Sequence, residues 1–397
     1  MFKSFFPSSR FFLLSVIIWV SLNMALWYMG GNAWGTHLGW AVGYDHQELP
    51  ISITRFWAPR FLWFYAWFFV AVGLFAGFWR IISNNKWQNW SILGSATLIF
   101  SIWFTVQVTV AINAWYSPYG DLLQSMLTKK GGDVNLLYRE ILTFLSIAAV
   151  YVTVQILTSF FSSHYVFRWR TAMTEYYTDN WSRLRHIEGA SQRVQEDTMR
   201  FATIMEDLGV GFIQSILTLI AFLPLLFQFS KHIPMLPIVG NISNSLVWAA
   251  IFWSAFGTFL LIVVGKKLPG LQFNNQRVEA AYRKELVYGE DQPNRAQPAT
   301  LKELFANVRQ NYFKLYFHYT YFNLVSSWYS QVDIIFSLIV LIPAIAAGLL
   351  TLGLLSQIRN IFSQVSGSFQ YLVSSWKTII ELLSIRKRLK AFEDVIN

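Results

Sequence analysis

Seven apolar runs, each about twenty residues long, set the terms for this chain of 397 residues. They lie at roughly 11–30, 61–79, 91–114, 141–162, 209–229, 246–265 and 331–355. A helix that crosses the hydrocarbon core of a bilayer needs about 20 mainly apolar residues. A water-soluble fold would have to hide all seven runs at once, with charged side chains making up only 13% of its residues. Soluble domains carry about 25%. Aromatic residues reach 18%, which suits a chain whose rings sit at membrane–water interfaces. The fold class is therefore all-α and integral to a membrane.

An eighth segment, roughly 358–384, is amphipathic. Ile358, Ile361, Phe362, Val365, Phe369, Leu372, Val373, Trp376, Ile379, Ile380 and Leu383 recur every three or four residues. Ser363, Ser366, Gln370, Ser374, Lys377 and Glu381 form the opposite stripe. Two readings fit: a helix lying on the cytoplasmic membrane surface, or a span with one face on a water-filled cavity. The second is preferred, with Gln370, Ser374, Lys377 and Glu381 lining the cavity and Arg386-Lys387-Arg388 anchoring the inner end. Lys3 and Arg10 precede the first run as in a signal peptide. Its apolar part is long and no small-x-small cleavage site stands out, so it reads as a retained span.

Eight spans put both termini on one side. Placed in the cytoplasm, that side holds 23 of the 31 Lys and Arg residues, as the positive-inside rule requires. The net charge of +10 is then a topology signal and not a nucleic-acid footprint. Two cytoplasmic segments, about 163–208 and 266–330, are rich in Arg and Glu at helical spacing. They read as spans that continue as helices beyond the membrane, turn and return, the second turning within Tyr288–Ala299. The outer loop 31–60 carries Trp34, Trp40, Tyr44 and Trp57 with few charges, and is expected to lie across the outer membrane surface.

Cysteine is absent, which removes disulfides, thiolate metal sites and thiol nucleophiles. His37, His46, His164, His186, His232 and His318 show no metal-ligand spacing, and His186 and His318 read as structural. No segment matches GxxxxGK[ST]. Gly265-Lys266-Lys267 lacks both the hydroxyl residue and the upstream glycine of a phosphate-binding loop. GxSxG is also missing. The chain reads as a non-enzyme with no cofactor and no metal.

The carboxylates are the informative groups. Arg193 with Asp197 and Glu196 with Arg200 are spaced i,i+4, as in a helix-stabilising charge lattice. Glu206 precedes the apolar run at Gly209 and has no basic residue three or four positions away. A lone carboxylate near membrane depth loses solvation and can hold a proton near neutral pH. Glu279 and Glu290 are eleven residues apart, nearly three full turns, so they share a face about 16 Å apart if the helix persists through Gly289. Glu285 lies on another face, and Glu279 could instead pair with Arg283. Asp333 and Glu381 read either as proton sites or as interfacial anchors.

The segments MFKSFFP at the N-terminus, NAWYSPYGDLLQ at 113–124 and FFSSHYVFRWRTAMTEYY at 160–177 resemble the SbmA/BacA peptide transporter family. LRHIEGASQRVQEDTMRF at 184–201, LPGLQFNNQRVEAAYRKELVYGED at 268–291 and NYFKLYFHYTYFN at 311–323 continue the resemblance through essentially the whole chain. It implies a homodimer in the inner membrane of Gram-negative bacteria, each subunit resembling the membrane domain of an ABC exporter without its nucleotide-binding domain. Residues 1–90 would be two added helices with a periplasmic surface segment, and 91–397 the six-helix exporter-like domain. The implied activity is proton-driven uptake of peptides and peptide-like antibiotics, including proline-rich antimicrobial peptides, microcins and bleomycin. Membrane lipids would be the remaining partners, without nucleic acid. The resemblance also implies that Glu196, Glu206, Glu279, Glu285 and Glu290 couple protons to transport. The competing reading is a permease energised by an ATPase on a separate chain.

Overall fold

A computed structural model describes residues 1–396 except 40–48, 130, 188, 232, 234 and 237–239. Trp40, Tyr44, His46 and His232 lie outside the described residues, as do the side chains of Leu372 and Val373. The described helices are α1 (Phe2–Phe5), α2 (Ser9–Leu26), α3 (Asn32–His37), α4 (Pro59–Ile82), α5 (Ser95–Lys129), α6 (Val134–Asp179) and α7 (Trp181–Leu184). There follow α8 (Ala190–Gln192), α9 (Thr198–Ser230), α10 (Ser245–Gly265), α11 (Leu268–Asp291), α12 (Pro298–Ala346), α13 (Leu352–Ser374) and α14 (Trp376–Glu393). A two-residue antiparallel ladder, Met235–Leu236 with Gly240–Asn241, precedes α10.

Seven helical stretches are long and apolar enough to cross a membrane, and they coincide with the seven apolar runs. The first extends further than expected, from Arg10 to His37, through a π-turn at Trp27–Gly31 that kinks where Gly30 takes φ 138°. The seventh stops earlier than the sequence suggests. α12 ends at Ala346, where Gly348 at φ 68° donates to the Ile345 carbonyl and Leu349 to that of Ala344, a left-handed helix stop. The amphipathic segment 358–384 is not one continuous span. It divides at Ser375 between α13 and α14, and it is too polar to count among the seven.

The helical extensions beyond the apolar runs, predicted from sequence, are present. α6 has 46 residues and α12 has 49, so at 1.5 Å per residue they run about 69 and 74 Å, twice the hydrocarbon thickness. α6 starts on Asp133, whose carboxylate accepts from the Asn135 amide at 2.9 Å. Pro298 opens α12, where its missing N–H costs nothing.

By contact the chain divides into two units. The first comprises Met1–Leu225, Leu350–Ile361 and Glu381–Asn397. Its core joins chain positions far apart: Phe5 stacks on Trp169 at 5.6 Å, Phe2 meets Phe201 edge-on at 5.7 Å, and Tyr177 packs on Phe392 at 5.2 Å. Phe5, Phe201, Tyr177 and Phe392 are fully buried. The start of α13 is tied to α5 by three bonds. Leu352 N donates to Gln124 Oε1 at 2.7 Å, Gly353 N to Asp121 Oδ1 at 3.2 Å, and Asn360 Nδ2 to Asn113 Oδ1 at 2.9 Å. In the segment between α3 and α4, Phe56 is buried against Phe104 at 5.0 Å, while Trp57 is 73% exposed.

The second unit comprises Leu226–Leu349 and Phe362–Ile380. α11 returns along α12, with Asn311 Nδ2 donating to Asn275 Oδ1 at 3.1 Å. α10 packs on α12 because Gly257 leaves room for the ring of Tyr329. Buried Ser254 and Ser366 bond at 3.0 Å.

Candidate functional site

In the first unit, Glu196 sits in a π-turn, Arg193–Asp197, that opens α9. Its carboxylate receives Gln192 Nε2 at 3.0 Å and pairs with Arg200 at 3.1 Å, the i,i+4 partner the sequence indicates. Arg200 also reaches Glu381 at 3.6 Å, so one guanidinium bridges two of the predicted site carboxylates. Arg200 is exposed, and Glu196 and Glu381 are partly so. Glu206 lies nine residues after the π-turn on α9, half-buried, and accepts a hydrogen bond from Ser162 Oγ on α6. Among the described residues no cation pairs with it. A hydroxyl is a neutral donor, which serves a carboxylate without requiring it to stay ionised.

In the second unit, α11 runs unbroken through Gly289, so Glu279 and Glu290 keep the shared face that their spacing predicts. The alternative pairing of Glu279 with Arg283 is not made among the described residues. Glu285 is engaged otherwise: it pairs with Arg295 Nη2 at 2.7 Å and accepts the Ala296 amide at 3.0 Å, closing the turn between α11 and α12. Gln370 Nε2 donates to Tyr329 Oη at 2.6 Å, and Lys377 lies 5.7 Å from the ring of Tyr319. Ser374 Oγ returns to its own helix at Tyr371 O.

Two features escaped the sequence reading. Asp197 does not join a lattice with Arg193. The π-turn directs it inward, where it is 3% exposed and held by Arg388 in a two-pronged pair, Nη2 to Oδ1 at 2.7 Å and Nε to Oδ2 at 2.9 Å. Arg193 instead lies over the ring of Phe392 at 5.6 Å. Arg388 is thus an internal clasp. Its guanidinium is pushed above the ordinary arginine value, chiefly by these hydrogen bonds. The signal lay in two residues 191 positions apart, which local spacing cannot relate. The second feature is the partner of Asp333, a residue the sequence singles out: its Oδ1 accepts from Trp253 Nε1 at 2.6 Å. Among the described residues no three His, Asp or Glu side chains cluster as metal ligands.

Comparison with known proteins gives relatives of one kind. The chain is 24% identical over 342 residues to the inner membrane ABC transporter ATP-binding protein YddA of Escherichia coli, covering 80% of this chain and 59% of that protein. It is 23% identical over 334 residues to an uncharacterized ABC transporter ATP-binding protein of Synechocystis, covering 79% and 47%. It is 23% identical over 250 residues to ABC transporter D family member 2, chloroplastic, of Arabidopsis thaliana, covering 58% and 33%. The chain spans about half the length of the first two curated relatives. A sequence profile of the SbmA/BacA-like family matches residues 84–397, the motifs at 184–201 and 268–291 included. Seven membrane-crossing helices, ABC-transporter relatives and a profile match over most of its length agree: the chain belongs to the SbmA/BacA-like family of membrane transporters.

Proposed function

We propose that this protein is a secondary transporter that imports peptides and peptide-like antibiotics, among them proline-rich antimicrobial peptides, microcins and bleomycin. A proton gradient would drive it. In this reading two copies form a homodimer in the inner membrane of a Gram-negative bacterium, with both termini in the cytoplasm. Residues 1–90 are the added helices and 91–397 the exporter-like domain, which completes the eighth crossing with α13 and α14. The dimer encloses a cavity that opens alternately to periplasm and cytoplasm. Glu196, Glu206, Glu279 and Glu290 take protons from the acidic side and release them to the other, and Glu285 is the member whose charge Arg295 already balances. Gln370, Ser374, Lys377 and Glu381 face the cavity.

The observation that carries this reading is Glu206: a half-buried carboxylate on an apolar helix, bonded to a hydroxyl and to no cation among the described residues. Holding such a group permanently ionised at the edge of the membrane is costly, and carboxylates near membrane depth mark proton pathways. The role is transport and not catalysis. The same carboxylates would attract cationic peptides.

The test is uptake of a labelled proline-rich peptide into liposomes containing only this protein, under an imposed inward proton gradient without ATP. Wild type is expected to accumulate peptide, and folded Glu206→Gln and Glu279→Gln to lose accumulation. The second reading, a permease energised by an ATPase on another chain, draws on the relatives named as ABC transporter ATP-binding proteins. Wild type that is inert under the gradient, but active with a membrane extract and ATP, would establish that reading in place of the first.

A further inference from the structure

α12 carries one charged residue between Lys314 and Ala346, and it is Asp333. It stands thirteen residues before the end of the helix, about 20 Å along the axis from that end. α10, packed against it, has no charged residue from Ser245 to Gly265. The part of α13 in this unit, 362–374, has none either. Asp333 forms no ion pair among the described residues. Its partner is neutral, the indole N–H of Trp253 at 2.6 Å.

The surroundings hold that indole in place. Trp253 is stacked on Phe336 at 4.1 Å and 11°, and on Tyr329 at 5.1 Å and 19°. Tyr329 Oη donates to the Trp253 carbonyl at 3.3 Å, and Gln370 Nε2 donates to Tyr329 Oη at 2.6 Å. Besides Asp333, the ionisable group recorded here is the phenol of Tyr329, one turn earlier on the same helix. So much order around one carboxylate is not needed for an interfacial anchor. A Trp N–H also donates in one direction only, so it serves both states of the acid. Oδ1 accepts whether the group is ionised or carries its proton on Oδ2. What changes is strength, because a bond to an ionised acceptor is roughly twice as strong as a neutral one.

We propose that Asp333 takes and releases a proton in the transport cycle, and that Trp253 is a positioning residue that conveys the charge state of α12 to α10. The proposal rests on the proton-driven reading above and adds a carboxylate outside the predicted glutamate set. A hydronium ion on the acidic side breaks one O–H bond to give its proton to Oδ2 and is left as water; the Trp253 bond weakens, and the Oδ2–H bond later breaks as a water molecule on the other side takes the proton and becomes hydronium.

The test uses the full-length protein in liposomes with a labelled proline-rich peptide. Asp333→Asn keeps an acceptor oxygen for Trp253 and so preserves the packing. Gradient-driven accumulation is expected to fall to the level of protein-free liposomes, while exchange of labelled for unlabelled peptide without a gradient continues at the wild-type rate. A structural carboxylate would behave otherwise. Accumulation by Asp333→Asn equal to wild type would overturn the proposal, and so would loss of exchange together with accumulation. An infrared arm stands apart from transport. Acidifying wild type should bring up the C=O stretch of a protonated carboxylic acid that Asp333→Asn lacks, and its absence would refute protonation at Asp333. Wild type without gradient-driven uptake, but with that band, would sink the proton-driven reading and leave the site. Trp253→Phe keeps the stack and should move the pH at which the band appears; an unmoved band would limit Trp253 to packing.

Discussion

The clasp between Asp197 and Arg388 gives an asymmetric prediction. The carboxylate is 4% exposed and the guanidinium 40%. Removing the cation with Arg388→Met strands an ionised carboxylate away from water, which costs about 3–5 kcal/mol for a buried pair. Removing the charge with Asp197→Asn leaves an amide that still accepts one bond, and an arginine that water can reach. The loss is then near one charge-assisted hydrogen bond, about 1.5–3 kcal/mol. The double variant strands nothing and should cost less than Arg388→Met alone. Equilibrium unfolding in mixed micelles, followed by tryptophan fluorescence, would rank the three proteins. The sign of the pH dependence is also set. Because Arg388 is raised above its ordinary value, its contribution is fully present below that value and is lost only as pH rises through the raised one. The arginine therefore stays charged over the mildly acidic to neutral range that would drive transport. Arg388→Met no more destabilising than Asp197→Asn would refute the argument from burial.

Gly353→Ala would push a methyl group into the Ser117 carbonyl and the Asp121 carboxylate, so the seam between α13 and α5 should open at a cost of about 1–3 kcal/mol, read by thermal unfolding in detergent. Gly257→Ala drives its methyl group into the Tyr329 ring and should destabilise to a similar degree, with the stacked Trp253 shifting in fluorescence. Tyr329→Phe deletes the hydroxyl shared by Gln370 and the Trp253 carbonyl, and should cost about 0.5–1.5 kcal/mol for each hydrogen bond lost. Arg295→Ala removes the ion pair at the α11–α12 turn, where Arg295 is 45% exposed, and should change stability by less than about 1 kcal/mol.

Helix existence was legible because it depends on local composition. Each of the seven apolar runs forces its own helix, and the lack of turn residues in 163–179 and 299–330 carries α6 and α12 past the membrane. What local pattern could not supply was partner choice. Arg193 and Asp197 fit the i,i+4 rule, but that rule assumes 3.6 residues per turn, and the π-turn at Arg193–Asp197 rotates Asp197 out of register toward Arg388. The break at Ser375 was hidden for a related reason. The apolar period continues across it from α13 into α14, so periodicity alone reads one helix where the backbone makes two.

The carboxylates sort by the chemistry of their partners. Glu196, Asp197, Glu285 and Glu381 each meet an arginine, and an arginine, always charged, favours the ionised acid at every physiological pH. Glu206 and Asp333, on apolar helices of separate units, meet a serine hydroxyl and an indole N–H. Neutral donors tolerate both states of the acid, which is the property a carboxylate needs if it is to load and unload a proton within one cycle. Glu196 is the instructive case in between. It shares Arg200 with Glu381, so protonating either one leaves the guanidinium paired with the other. Asp197 is held differently, in the two-pronged Arg388 clasp that ties α14 to α9.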